Sequence, residues 1–222
     1  MTRDELIAEF RVMTRDLVED YLWQTAWVAR WIDQAEAEAC LRGRLLYESG
    51  DPMLCEIAVA PGVAHYLLHP ALYELAHVAW RASGANRREP VKLVSTEWLD
   101  DRVRDWRDLA GAPEYVVQGD TGLRLVPQPD ADGVLLLEGY RLPVRSVAAS
   151  GSSTPEIHPA HHIHLLQWVL YRAYSHPDTE TLNPGKAAEA ERAFSAYFGE
   201  RPDSDLRRIT REDVDHHNKA WV

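Results

Sequence analysis

The chain has 222 residues and a mass of 25.3 kDa, with 45% hydrophobic and 27% charged residues. That balance excludes a disordered polymer and a fibrous repeat, and leaves room for one generous domain or two small ones. With 24 basic against 35 acidic residues the formal net charge is -11, so the surface as a whole repels nucleic-acid phosphates and anionic membrane. No apolar run reaches the roughly 18 residues of a membrane span, and Met1-Thr2-Arg3-Asp4-Glu5 lacks the basic start and apolar stretch of a secretion signal, so synthesis in the cytoplasm is expected. Cys40 and Cys55 form no CxxC pair and read as buried thiols.

In chain order, residues 4–20 place Leu6, Ile7, Phe10, Met13, Leu17 and Val18 three and four apart behind the acidic turn Asp4-Glu5, the period of an amphipathic helix. A second helix is predicted from a Thr25 cap to Ser49-Gly50, with Val28, Ile32, Ala35, Cys40, Leu41 and Leu45 as its stripe. Trp23, Trp27 and Trp31 recur every four residues along its face, which suits core packing or a subunit contact. From Asp51 the period shortens, and residues 54–59, 64–68 and 74–80 read as strands. A helical insert spans 96–109 and stops at Gly111-Ala112-Pro113. Residues 113–118, 123–127 and 134–140, divided by the turns 119–122 and 129–133, read as an antiparallel meander.

Residues 147–155 read as a polar linker, and Ile163, Leu166, Leu170 and Ala173 mark a central helix after it. Asn183-Pro184 opens a last helix with Ala187, Ala190, Phe194 and Tyr197 inside and Gly199 as its stop. The expected fold class is α+β: a helical bundle from 1–50 and 156–200, an inserted antiparallel β module with a short helix at 51–150, and a C-terminal tail at 201–222.

His158, His161, His162 and His164 are the sharpest local feature, because spacings of three and four put two imidazoles on one helix face, as a zinc pair requires. A third and fourth ligand are missing: Glu156 is the nearby carboxylate, no HExxH occurs, and Pro159 marks a helix start. The favoured reading is a solvated, partly interfacial helix entry with no metal. A soluble metal-dependent enzyme built on this cluster, with His216-His217 as a further source of ligands, stays as the alternative. No GxSxG elbow, GxxxxGK[ST] loop or GxGxxG fingerprint is present, and the acid pairs Asp100-Asp101 and Glu19-Asp20 point apart among other charges. No catalytic residue and no cofactor is therefore assigned. The tail is too poor in apolar residues to bury itself yet carries Arg207, Arg208, Ile209, Val214, Trp221 and Val222, the pattern of a segment that orders on a partner.

Four stretches carry a resemblance. They are Tyr21-Leu22-Trp23 through Trp31-Ile32-Asp33-Gln34-Ala35; Thr96-Glu97-Trp98-Leu99-Asp100 through Gly111-Ala112-Pro113-Glu114-Tyr115; Leu123-Arg124-Leu125-Val126-Pro127 with Pro129-Asp130-Ala131-Asp132-Gly133; and Trp168 through Ala173-Tyr174 with Asp178, Glu180, Asn183-Pro184 and Lys186-Ala187. In this order the sequence resembles the adaptor, or head-to-tail connector, proteins of tailed bacteriophages. The resemblance implies a non-enzymatic subunit of a twelve-fold ring in the neck of the virion, bridging portal protein to tail or tail-tube proteins. It also implies an axial channel through which DNA passes without specific binding, and it makes the portal the expected partner of the tail residues Arg207 to Val222. A host-encoded helical binding protein is the remaining competitor.

Overall fold

The computed structural model describes residues 1–178 and 180–202. The fold class is α+β, with six α-helices among the described residues and two sheets. The chain divides into a terminal unit, Met1–Leu46 with Leu142–Pro202, and a central unit over Tyr47–Arg141.

In the terminal unit the first helix, α1, spans Arg3–Thr14. Thr2 and Glu5 close a reciprocal capping box: the Thr2 hydroxyl accepts from the Glu5 N–H at 3.3 Å, and the Thr2 N–H donates to the Glu5 carboxylate at 2.9 Å. The helix stops six residues short of the expected end, because Arg15 takes a left-handed conformation (φ 60°). Leu6, Ile7 and Phe10 are buried as expected, whereas Met13, Leu17 and Val18 are exposed. The second helix, α2, spans Thr25–Gly43, and here too a left-handed residue, Arg44, ends it before the expected Ser49-Gly50. Gln24 is its N-cap and makes no side-chain bond, so Thr25 is the first helical residue and not the cap. Trp23 precedes the helix, buried and edge-on to Phe10 at 5.6 Å, so the three tryptophans do not share one helix face.

The segment expected as a loose linker is tied down along its length. Asp33 accepts from the Ser146 hydroxyl (2.6 Å) and from the Val147 (2.6 Å) and Ala148 (3.2 Å) N–H groups, capping a 3₁₀ turn at Val147–Ala149. The Arg3 N–H donates to the Ser153 carbonyl at 2.7 Å, and Arg3 Nη1 to the Ala148 carbonyl at 3.2 Å. After a 3₁₀ helix at Pro159–His164 come α5, Leu165–Tyr174, and α6, Pro184–Phe198, the latter N-capped by Asn183 and stopped at Gly199 as its sequence predicts. Helix α5 packs against α2 and α6, and one core collects Leu6, Phe10, Ile32, Ala35, Leu166, Val169 and Phe194 from both ends of the chain. Each fully buried large side chain there contributes roughly 1.5–3 kcal/mol over its exposed state.

The central unit holds nine strands: β1 (Tyr47–Glu48), β2 (Glu56–Val59), β3 (His65–Leu67), β4 (Leu72–Ala82), β5 (Glu89–Pro90), β6 (Lys92–Leu93), β7 (Tyr115–Gln118), β8 (Gly122–Val126) and β9 (Gly133–Arg141). Leu54 and Cys55, expected in a strand, lie in a helical turn, α3 (Pro52–Cys55), because Asp51 caps it through the Met53 N–H at 2.9 Å with proline in the first turn. The helical insert is also shorter than expected: α4 spans Thr96–Arg102, with the Ser95 hydroxyl accepting from the Trp98 N–H.

The expected three-strand meander is split. β7 and β8 form a hairpin in a mixed sheet ordered β3-β8-β7-β6, with β6 parallel to β7. β9 crosses into the second sheet, where it pairs antiparallel with β1, β2 and β4. Glycine at 133 and 139 makes the β4–β9 approach possible, since a Cβ would fall 2.2 Å from the Trp80 ring at the first and 2.2 Å from the Glu74 carbonyl at the second. The β4–β9 ladder shifts register around Leu72–His77, and the Gln118 side chain satisfies the backbone there, accepting from the Leu75 N–H (3.0 Å) and donating to the Tyr73 carbonyl (2.9 Å). Leu72, Leu75, Val78, Val116, Leu125 and Leu135 centre the core of this unit. Cys40 and Cys55 are both buried and neither is in a disulfide.

Candidate interaction surfaces

The histidine cluster sits on the Pro159–His164 3₁₀ helix and spends its nitrogens on local structure. His158 Nδ1 accepts from the Ala160 N–H at 3.2 Å, capping the turn. His162 is buried with Nε2 3.0 Å from the Ile157 carbonyl, so Nε2 carries the proton, and Nδ1 accepts from the Met1 amino group at 2.8 Å. Burial pushes the His162 imidazole below its ordinary range, which matches that neutral tautomer. His161 Nδ1 lies 3.1 Å from the Tyr197 hydroxyl, and the His164 ring stacks on Tyr197 with centroids 3.6 Å apart. His161, His162 and His164 thus seam the turn to α6 and to the start of the chain, while His158 caps the turn itself. Glu156, the carboxylate nearest in sequence, accepts instead from the Val144 (2.8 Å) and Arg145 (2.7 Å) N–H groups. Among the described residues no three His, Cys, Asp or Glu side chains are gathered as a metal would need them. His216 and His217 lie outside the described residues.

A second buried acid lies beside this turn. The Glu36 carboxylate, on the face of α2, is 1% exposed and accepts from the N–H groups of Glu156 and Ile157. Burial pushes it up to about 7, reinforced by the charges of Glu156 and Asp33 and opposed by the two backbone donors. Asp33 and Glu36, one turn apart on α2, therefore hold both ends of the 146–157 segment.

The chain between α1 and α2 turns on a buried ion pair. Arg11 donates from Nη1 to Asp16 and from Nη2 to the Trp23 carbonyl (2.7 Å) and the Thr25 hydroxyl (3.3 Å), while Asp16 accepts from the Leu22 N–H at 3.0 Å. With these polar groups turned inward, the apolar residues are left outside: Val12, Leu17, Val18 and Leu22 are 59%, 63%, 77% and 51% exposed. Helical spacing assigned Leu17 and Val18 to the core because the sequence gives no sign that Arg15 ends the helix. Exposed apolar residues gathered in one short stretch of chain make it a candidate interaction surface.

Asp100, of the pair Asp100-Asp101, binds Arg107 at 2.7 Å. The tail residues Arg207, Arg208, Ile209, Val214, Trp221 and Val222 lie outside the described residues. No helix among the described residues is long and apolar enough to cross a membrane. No curated protein matches the chain. The SU10 adaptor protein family matches residues 1–215, essentially end to end across both units, and the chain belongs to this family of bacteriophage adaptors.

Proposed function

We propose that the chain is a structural, non-enzymatic subunit of a closed ring, twelve-fold like the portal it meets, linking portal to tail in the neck of the virion. The observation that carries this reading is the family match over residues 1–215. The terminal helices, arranged as a bundle, form the body of the subunit, and the exposed apolar surface at Val12, Leu17, Val18 and Leu22 supplies area that neighbouring subunits cover. A net charge of -11 suits an axial channel whose wall lets DNA pass without holding it. The tail, with Arg207, Arg208, Ile209, Val214, Trp221 and Val222, is the arm that engages the portal, gaining avidity by repetition around the ring.

Electron microscopy of the purified chain with and without portal protein tests the reading. Rings are expected, seated on the portal when it is present, and removal of residues 203–222 leaves the fold while weakening co-sedimentation with portal. A chain that stays monomeric and fails to sediment with portal refutes it.

A further inference from the structure

The β3-β8-β7 sheet carries a cleft of about 540 Å³, built entirely within the central unit. Strand alternation decides what lines it. Tyr66, Leu123 and Leu125 point to the core, so His65, Leu67, Val117 and Arg124 share the opposite face, with His65 directly across from Arg124 and Leu67 across from Gly122. Glycine is required at 122, where a Cβ would fall 2.6 Å from the Tyr66 carbonyl. The wall facing this sheet is Trp106-Arg107.

That wall is held rigidly. The Trp106 indole N–H donates to Asp100 at 2.9 Å, Arg107 pairs with the same carboxylate, and the Arg107 and Arg124 guanidinium carbons lie 4.2 Å and 4.5 Å from the Trp106 ring centre. Two guanidinium groups therefore share one aromatic ring, and one carboxylate serves one of them. Arg124 is the other. Its Nη2 makes one long bond, 3.4 Å to the Arg107 carbonyl, and its Nε is closed off from solvent with no acceptor. A partly buried guanidinium left in this state is costly, and a carboxylate is the group that answers its planar fork.

We propose that this cleft is a docking site for an acidic segment of a partner protein, whose carboxylate pairs with Arg124 beside His65 while its aliphatic part lies on the exposed Leu67. A protein carboxylate fits better than a nucleic-acid backbone, because the cleft offers the single guanidinium of Arg124 with spare donors instead of a row of cations. The site stands independently of ring assembly.

The test is NMR on the full chain, following the Arg124 Nε–H and Trp106 indole N–H resonances. Acetyl-Leu-Glu-Leu-amide, its Gln counterpart and inorganic phosphate are the probes. The Glu peptide is expected to shift both resonances saturably, the Gln peptide to bind about tenfold more weakly, and Arg124→Lys to abolish the difference. Leu67→Glu, at a position 80% exposed and therefore harmless to the fold, places a competing carboxylate at the mouth and weakens the Glu peptide by a similar factor while melting at the wild-type temperature. It carries the test if the arginine variant does not fold. Equal affinity for the Glu and Gln peptides, no saturable shift, tighter binding of phosphate than of the Glu peptide, or indifference to Leu67→Glu overturns the proposal.

Discussion

Glu36 is a carboxyl group kept out of water that nevertheless accepts two backbone hydrogen bonds, and its protonation is tied to stability. Its ordinary value of 4.5 is raised to about 7 in the folded chain, so between those limits the native state holds a proton that the unfolded state has lost. The stabilising contribution is complete below about 4.5 and fades as pH rises through about 7. Glu36→Gln retains an acceptor for the Glu156 and Ile157 N–H groups and removes the charge. Thermal melts should show the wild type losing on the order of 3 kcal/mol relative to the variant between pH 5 and pH 8. His162 acts with the opposite sign: its lowered value makes stability fall as pH drops through the ordinary imidazole range, in wild type and variant alike. Wild-type and variant profiles that run parallel across this range would show that Glu36 is ionised throughout.

At the scale of elements, the same two acids explain why the polar stretch 147–155 is no linker. Serine, glycine and alanine composition reads as flexibility, but nothing in that composition records that Asp33 and Glu36, more than a hundred residues earlier, bond its backbone. Asp33→Ala removes the acceptor for Ser146, Val147 and Ala148 and should turn this segment into the first site of limited proteolysis, with the wild type resisting cleavage there. Early cutting of the wild type between 146 and 154 would mean that the tether does not hold in solution. Elements fixed by local chemistry were readable: the acidic first turn of α1, the Asn183-Pro184 start of α6, its Gly199 stop and the β7–β8 turn all follow from neighbouring residues. Those fixed by distant partners were not. The ends of α1 and α2 rest on left-handed arginines that any residue could have avoided, and β9 leaves the meander because β4 offers it a longer ladder, with glycines at 133 and 139 leaving room for the Trp80 ring and the Glu74 carbonyl. The candidate site divides likewise: the histidines were visible as a cluster, but their use as caps and stacking partners depends on Tyr197, and the Trp106–Arg124 cleft joins residues whose proximity only strand register creates.

At the scale of the molecule, the exposed apolar residues beside the Arg11–Asp16 pair are where the proposed ring assembly is tested. Val18 is 77% exposed and makes no contribution to the core, so Val18→Asp should leave the melting temperature within about 1 °C of wild type while shifting the protein from assembled to monomeric in analytical ultracentrifugation. An unchanged sedimentation profile would move the subunit contact elsewhere on the surface. The division of the chain has a further consequence, for the order of events at the ribosome. α1 and α2 are made first, yet the residues that complete their core, Leu166, Val169 and Phe194, emerge only after the whole of Tyr47–Arg141 has been synthesised. At about 5–20 residues per second that is a delay on the order of ten seconds, during which the apolar faces of two nascent helices lack the cover of α5 and α6. Newly made chains therefore pass through a stage at which the beginning waits for the end, and it is at that stage that chaperones have the most to bind.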